Sequence, residues 1–157
     1  RRQDIIFLVV GGNPNHIRNL TAPKNIIFIS SLPHPEALYL MKLVDILLMP
    51  YQSSVSIDIK GHDTARWMSP MKMFEYMSSR TPIISSDLPV LREVLVHNYN
   101  ALLCTPNNLD HWMASLDRLI ADKQLSFSLS QNAFSEYKSK YTWDKRASLI
   151  VDKYLTN

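Results

Sequence analysis

The stretch Ser69–Met77 combines residue types that suit an anion site with residue types that suit a sugar hydroxyl ligand. Ser69 is a good N-cap and Pro70 fits the first helical position, so a helix is predicted to begin here. Because proline has no N–H, the free amides of the first turn are those of Met71 and Lys72. The positive end of the helix dipole lies behind them, and a helix end of this kind favours a phosphate.

The predicted helix runs from Pro70 to about Ser79 and has two faces. The apolar face is expected to pack on a sheet and carries Met71, Phe74 and Met77. The opposite face carries Lys72, Glu75, Tyr76 and Ser79 at spacings of three and four. A carboxylate at Glu75 can accept two hydrogen bonds from a ribose diol, and Lys72 can neutralise phosphate charge. The alternative is a solvated Lys–Glu pair that stabilises the helix by a few tenths of a kcal/mol.

Composition limits the class of protein. The 157 residues predict a single domain over residues 1–157. With 46% hydrophobic and 20% charged residues the chain is not intrinsically disordered, and no apolar run approaches the length of a membrane span. The net charge of +3 without a run of like charges argues against nucleic acid as a partner, and it favours a phosphate-bearing ligand. Cys104 is interpreted as a small buried hydrophobe.

Short apolar runs alternate with helical patterns and are predicted to form strands. The runs are Ile5–Val10, Asn25–Ile29, Asp45–Met49, Ile83–Ser85 and Ala101–Leu103. The first run is continuous and therefore predicts a fully buried strand. This alternation predicts an α/β fold with a doubly wound parallel sheet, in which ligands bind at the carboxyl ends of the strands. That edge would receive Gly11-Gly12, Ser30-Ser31, Pro50-Tyr51 and Ser85-Ser86, the last pair interpreted as turn-forming serines.

Helices are predicted between and after the strands. A short helix is expected through Ile17 and Leu20, and Pro35 opens another that runs through Met41. The C-terminal segment is predicted to be all-helical. Its first helix is capped by Asn107 and places Trp112, Leu116 and Leu119 in the core. The next helix covers Leu125–Lys140, and the last covers Trp143–Tyr154 and is capped by Thr142. The polar segment from Gln52 to Met68 shows no period, and a loop of that length is usually functional.

The region Asp45–Leu95 resembles the donor-binding half of family 4 glycosyltransferases with the GT-B architecture. The motifs that carry the resemblance are Asp45–Tyr51, Trp67–Met77, Pro82–Ile84 and Asp87–Val94. Outside this core, Val9–Gly12 resembles the family's second strand and glycine turn, and Leu32-Pro33 resembles its loop beside the nucleotide base. The segments Asn100–Thr105, around Trp112, and Tyr141–Trp143 resemble the closing elements. The resemblance therefore covers nearly the whole chain.

The resemblance implies a sugar-nucleotide donor of the UDP or GDP type and glycosyl transfer with retention of anomeric configuration. Glu75 matches the second glutamate of the family's E-x7-E pattern, which holds the ribose hydroxyls, and the amides of Met71 and Lys72 match those that bind the diphosphate. The segment from Tyr51 to Met68 would cover the donor sugar. The implied donor-binding residues are Gly12, Leu32, Tyr51, Arg66, Ser69, Pro70, Met71, Lys72 and Glu75. No catalytic residue is assigned and no metal is implied, and the five histidines show no ligand spacing.

The sequence departs from the family pattern in three places. Trp67 stands where the first glutamate of the pattern belongs, so Arg66, Asp63 or backbone groups are expected to contact the donor. Arg80 stands where the family usually has glycine after the donor helix, so the helix end is expected to differ. The chain begins without Met at what resembles the second strand. We therefore expect a fragment without the first strand and the N-terminal acceptor domain, with little or no activity alone.

The expected setting is cytoplasmic polysaccharide biosynthesis, with any attachment to the inner face of a membrane made through the absent part. Three alternatives stay open: a non-catalytic nucleotide- or phosphate-binding α/β module, a dinucleotide-binding domain and a structural interaction domain. The acidic cluster of receiver-type modules is missing, and residues 11–16 do not meet G-x-G-x-x-G. Arg92-Glu93 is interpreted either as an anchor of the donor loop or as a surface pair on a helix.

Overall fold

The computed structural model describes residues 2–12, 23–52 and 71–154, and the chain divides into two compact units, Arg1–Leu40 and Met41–Asn157. The elements in chain order are β1 (Phe7–Val10), β2 (Ile26–Ile29), α1 (His34–Met41), β3 (Leu47–Met49), α2 (Met71–Ser78), β4 (Ile83–Ser86), α3 (Pro89–Arg92), β5 (Leu102–Cys104), α4 (Leu109–Ala121), α5 (Lys123–Glu136), a π-helical turn (Tyr137–Tyr141) and α6 (Trp143–Tyr154). Over these described ranges, no helix has the length and apolar character that crossing a membrane requires.

All the predicted strands are present, and every pairing between them is parallel. The prediction of an α/β fold with parallel strands is therefore confirmed. The helix expected through Ile17 and Leu20 lies outside the described residues, as does all of the polar segment after Gln52. The single domain over residues 1–157 stays a prediction.

The first unit contains a two-stranded sheet of β1 and β2, in register from Phe7 opposite Ile26 to Val10 opposite Ile29. Gly11 and Gly12 end β1 with φ angles of 91° and 93°, a backbone region that favours glycine. The prediction that β1 is fully buried is wrong, because Leu8, Val9 and Val10 are 38–41% exposed. A sheet of two strands does not give β1 the cover on both faces that its continuous apolar run predicted.

The second unit is built on a three-stranded sheet in the order β3-β4-β5. Its central strand, β4, is buried along its whole length, as expected for a strand between two parallel neighbours. Ser85 and Ser86 are the last two residues of this strand and are fully buried, so their interpretation as turn-forming residues is wrong. Their hydroxyls make hydrogen bonds to carbonyl groups, which is what allows polar side chains to occupy the sheet core.

The core of the second unit joins α2, the sheet and α5. Met73 and Met77 of α2 pack with Ile83 of β4, Leu103 of β5 and Ala133 of α5. Full burial of each such apolar side chain contributes about 1.5–3 kcal/mol to stability. Cys104 is also fully buried, which confirms its interpretation as a core residue.

The C-terminal helices differ from prediction mainly at their ends. Asn108, not Asn107, caps α4, because its side-chain oxygen accepts the N–H of His111 at 3.0 Å. α5 ends at Glu136 rather than Lys140, and the π-helical turn Tyr137–Tyr141 follows it. Thr142 caps α6 as predicted, with its hydroxyl accepting the N–H of Lys145 at 3.3 Å. Trp112, Leu116 and Leu119 of α4 are buried, which confirms the core stripe.

Asn100 fastens the loop after α3 to α5. It is fully buried, and its side-chain oxygen accepts the N–H of Val96 at 2.7 Å. Its amide donates to the carbonyl of Val94 at 3.0 Å and to the carboxylate of Glu136 at 3.3 Å. Three bonds on one buried side chain hold the path of the chain into β5.

Candidate functional site

The orientation of α2 follows from its short connection to β4. Four residues, 79–82, separate the end of α2 from the start of β4. The end of α2 therefore lies near the amino end of that strand, and its start lies toward the carboxyl edge of the sheet. Thr81 supports this placement, since its hydroxyl donates to the carbonyl of Met41, ahead of β3, at 2.7 Å. The same edge receives Tyr51, Asp87 and Thr105, which follow β3, β4 and β5.

The first turn of α2 is open to solvent. The side chains of Met71 and Lys72 are exposed, with Met71 at 64%. The prediction that Met71 shares the buried face is wrong. The buried row is the i, i+4 pair Met73 and Met77, with Phe74 and Tyr76 partly buried beside it, so the packed face is turned toward Met73.

Glu75 and Tyr51 lie within electrostatic reach of the same side chain, Tyr76. Burial, and after it the proximity of Tyr51 and of Glu75, together raise the pKa of Tyr76 to about 12. The hydroxyl of Tyr76 donates to the carbonyl of Leu48 in β3 at 3.5 Å. Burial also raises the pKa of the Tyr51 phenol. The structure thus brings together two residues predicted to bind the donor, one from α2 and one that follows β3.

The predicted donor-binding residues are distributed over both units. Tyr51, Met71, Lys72 and Glu75 belong to the second unit, at the carboxyl edge of its sheet or on α2. Gly12 and Leu32 belong to the first unit, where Gly12 is the second residue after β1 and Leu32 lies ahead of α1. Three further predicted residues, Arg66, Ser69 and Pro70, lie outside the described residues, as do Asp63 and Trp67.

Sequence reasoning missed one ion pair at this edge of the sheet. Both oxygens of the Asp87 carboxylate accept from Arg92, with Nη2 to Oδ2 at 2.6 Å and Nε to Oδ1 as the second bond. The Arg92 guanidinium lowers the pKa of Asp87. Arg92 thus forms its pair with Asp87, whereas the sequence had suggested an Arg92-Glu93 unit. The five-residue spacing of Asp87 and Arg92 across a helix start was the available signal.

Two histidines stand near this pair and accept backbone hydrogen bonds. Nδ1 of His97 accepts the N–H of Leu103 at 3.0 Å, and Nδ1 of His111 accepts the N–H of Thr105 at 3.2 Å. Burial lowers the pKa of His97, and the charge of Arg118 lowers it further. Within residues 2–12, 23–52 and 71–154, no group of three His, Cys, Asp or Glu side chains is placed to hold a metal ion.

Curated relatives match about half of the chain. An uncharacterized glycosyltransferase of Methanocaldococcus jannaschii is 30% identical over 80 residues, which make up 51% of this chain and 20% of the relative. The O-antigen chain mannosyltransferase RfbU of Salmonella typhimurium is 32% identical over 76 residues, or 48% of this chain and 20% of that protein. The matched region thus spans about a fifth of the length of these relatives.

A solved structure matches the whole fold. The Anabaena protein HepE in complex with UDP superposes with a TM-score of 0.78 at 14% identity, covering 99% of this chain and 42% of HepE. This likeness shows the Rossmann-like GT-B fold. The model of the family described as glycosyl transferases group 1 matches residues 1–136. The chain therefore belongs to the glycosyl transferases group 1 family.

Proposed function

We propose that the chain is the donor-binding domain of a retaining family 4 glycosyltransferase, which transfers a glycosyl group from a nucleotide diphosphate sugar of the UDP or GDP type. The proposal rests on one observation above the others. The start of α2, with the exposed Met71 and Lys72, lies toward the carboxyl edge of a parallel sheet, and Glu75 lies one turn further along the helix. That edge is where ligands bind in open α/β sheets.

The chemistry of these groups suits a sugar nucleotide. The amides and the dipole at the start of α2 favour the diphosphate, and the Lys72 ammonium adds a positive charge. The Glu75 carboxylate can accept hydrogen bonds from the ribose diol, and Tyr51 lies toward the donor sugar. In the reaction, the bond between the anomeric carbon and the diphosphate oxygen breaks, and the anomeric carbon bonds to an acceptor hydroxyl oxygen. The nucleoside diphosphate is the leaving group, and its departing oxygen takes up the proton that the acceptor hydroxyl loses. The proposal includes no metal ion.

The names of the relatives favour a role in surface polysaccharide synthesis. RfbU is named as an O-antigen chain mannosyltransferase. The UDP in the structure of HepE separately favours a nucleotide-linked donor. We propose a polysaccharide or lipid-linked saccharide as the acceptor class, to be bound by residues outside this chain. A cytoplasmic location completes the proposal.

Calorimetric titration of the chain with UDP, GDP and ADP tests the donor site. We expect one nucleotide to bind with at least about millimolar affinity, near −4 kcal/mol. Glu75→Ala should weaken that binding at least tenfold, because a charged hydrogen-bond acceptor contributes about 1.5–3 kcal/mol. Glu36→Ala on the exposed face of α1 is the matched control and should leave the affinity unchanged.

The melting temperature of each variant separates binding from folding. Loss of affinity in Glu75→Ala at an unchanged melting temperature supports the donor site. A lower melting temperature with unchanged affinity would instead assign Glu75 a structural role, and no binding of any nucleotide by the unsubstituted chain would overturn the proposal.

A further inference from the structure

Ser85 and Ser86 end β4 and are both fully buried, but their hydroxyl groups donate hydrogen bonds to different parts of the chain. The Ser86 hydroxyl donates to the carbonyl oxygen of Tyr51 at 2.5 Å, across 35 positions of sequence. The Ser85 hydroxyl donates to the carbonyl of its own neighbour, Ser86, at 3.3 Å. Ser86 thus joins β4 to the segment that leaves β3, whereas the bond of Ser85 stays within its own strand.

The bond from Ser86 extends the contact between β3 and β4 beyond their backbone pairing. The pairing of the two strands runs from Leu47 opposite Ile83 to Met49 opposite Ser85. After Met49 the chain turns, and the N–H of Tyr51 donates back to the carbonyl of Met49 at 3.1 Å. The Ser86 hydroxyl therefore fixes the position of Tyr51 where backbone pairing has ended. Because Ser86 is shielded from solvent, water cannot readily replace it as the donor.

A second hydroxyl holds the same part of the chain from the helix. Tyr76 of α2 donates to the carbonyl of Leu48 at 3.5 Å. In this parallel pair the N–H of Leu47 donates to the carbonyl of Pro82, so the alternation of the ladder points the carbonyl of Leu48 away from β4. Residues 48 and 51 are thus held from opposite sides, by α2 and by β4.

The Tyr51 side chain connects these two hydrogen bonds, from Ser86 and from Tyr76, to the proposed donor site. It is partly buried and packs against the core cluster that includes Met49 and Met77, with Tyr76 at the border of the same cluster. Tyr76 is the sequence neighbour of Glu75, the proposed ribose ligand. A shift of the Tyr51 backbone would therefore move a side chain that stands beside the helix carrying Glu75.

We propose that Ser86 is a positioning residue for the sugar-nucleotide donor, and that its hydroxyl holds the Tyr51 carbonyl and thereby places the Tyr51 side chain at the donor-sugar end of the site. This inference rests on the proposed function, since Tyr51 matters for binding only if the site takes a sugar nucleotide. Ser86 acts through Tyr51 and needs no contact with the donor.

The test compares isosteric variants of the chain in titrations with the nucleoside diphosphate that binds best and with its glucose or mannose derivative. Ser86→Thr and Ser86→Val add the same bulk and differ only in the hydroxyl. We expect Ser86→Thr to keep the affinity for the sugar nucleotide within twofold. Ser86→Val should lose about tenfold in that affinity and no more than about threefold for the plain diphosphate. Ser85→Ala is the matched control and should change neither affinity.

Each of the following results would overturn the inference. Equal affinities of Ser86→Thr and Ser86→Val for the sugar nucleotide would show that the hydroxyl does not position the site. An equal loss for both ligands, matched by a lower melting temperature in Ser86→Val, would assign Ser86 a purely structural role. If the unsubstituted chain binds no nucleotide, the proposed function fails and this inference fails with it. Unchanged binding by Ser86→Val, with binding lost in Glu75→Ala, removes only the role of Ser86.

Discussion

Arg80, the second residue after the end of α2, adopts a left-handed backbone conformation with a φ of 62°. The sequence led us to expect a different helix end here, because Arg80 stands where relatives usually have glycine. The backbone instead takes the conformation that glycine would take, and an arginine occupies it. The Arg80 guanidinium lies 4.0 Å from the centre of the Phe134 ring in α5. A cation–π contact of this kind contributes about 0.5–1 kcal/mol at an exposed site, which offsets part of the backbone strain.

The first prediction follows from this balance. Arg80→Ala removes the ring contact and keeps the left-handed strain, whereas Arg80→Gly removes both. We expect Arg80→Gly to be more stable than Arg80→Ala by about 0.5–1 kcal/mol in urea unfolding. Ser135 is an exposed helical position of α5, where alanine is favoured over glycine. There we expect Ser135→Ala to be more stable than Ser135→Gly by about the same amount. The same order at both positions would contradict the strain at Arg80.

At the scale of elements, short apolar runs predicted the strands well, because apolar and β-branched residues favour a strand even where it stays partly exposed, as in β1. The faces of α2 were predicted less well. Periodicity placed Met71 and Met77 on one face, yet the packed row runs through Met73 and Met77. Three methionines within about two turns allow more than one apolar stripe, and only the position of the sheet selects between them.

At the candidate site, too, sequence predicted the local features but not the contacts between distant positions. Pattern and resemblance predicted Glu75 and Lys72 as donor ligands because helix-start chemistry is local in sequence, and the resemblance alone added Tyr51. The bond from Ser86 to Tyr51 joins positions 35 residues apart, and no spacing rule indicates it. Asp87 and Arg92 were both visible in the sequence, but their pairing depends on the turn that starts α3.

The segment between α3 and α4 makes the stability of the chain depend on pH through His97. Nδ1 of His97 accepts the N–H of Leu103 in β5, and a protonated ring cannot accept it. Burial lowers the pKa of His97 below its usual value near 6.5, and the charges of Arg118, His111 and Arg92 lower it further, against an opposing effect of Asp87. The folded state therefore binds fewer protons than the unfolded state as pH falls.

The second prediction follows from that sign. The stabilisation from the neutral His97 is complete above about pH 6.5 and is lost as pH falls from there through the lower pKa of the folded state. His97→Asn supplies an oxygen acceptor that does not titrate. We expect the melting temperature of the unsubstituted chain to fall more steeply than that of His97→Asn between pH 7 and pH 5. His34→Asn on α1 should keep the steep fall, and parallel curves for the chain and His97→Asn would contradict the role of His97.

At the scale of the whole molecule, the chain compares with only part of each relative. It spans 42% of HepE and about a fifth of the curated relatives, although residues 1–136 match the family model. The groups that we assign to the donor all come from this chain, and none is assigned to an acceptor. Donor binding and glycosyl transfer should therefore separate experimentally.

The third prediction is that the isolated chain binds its nucleotide sugar but does not turn it over. A transferase gains several kcal/mol of its rate advantage by holding the acceptor hydroxyl against the anomeric carbon, and that gain is lost when no surface orients the acceptor. Release of nucleoside diphosphate from UDP-, GDP- and ADP-sugars, followed by chromatography with and without added saccharide, should stay at the level of the buffer. Glu75→Ala, purified in the same way, identifies contaminating enzymes. Turnover by the unsubstituted chain that disappears in Glu75→Ala would show that these residues suffice for the chemistry, and would place a catalytic group within them.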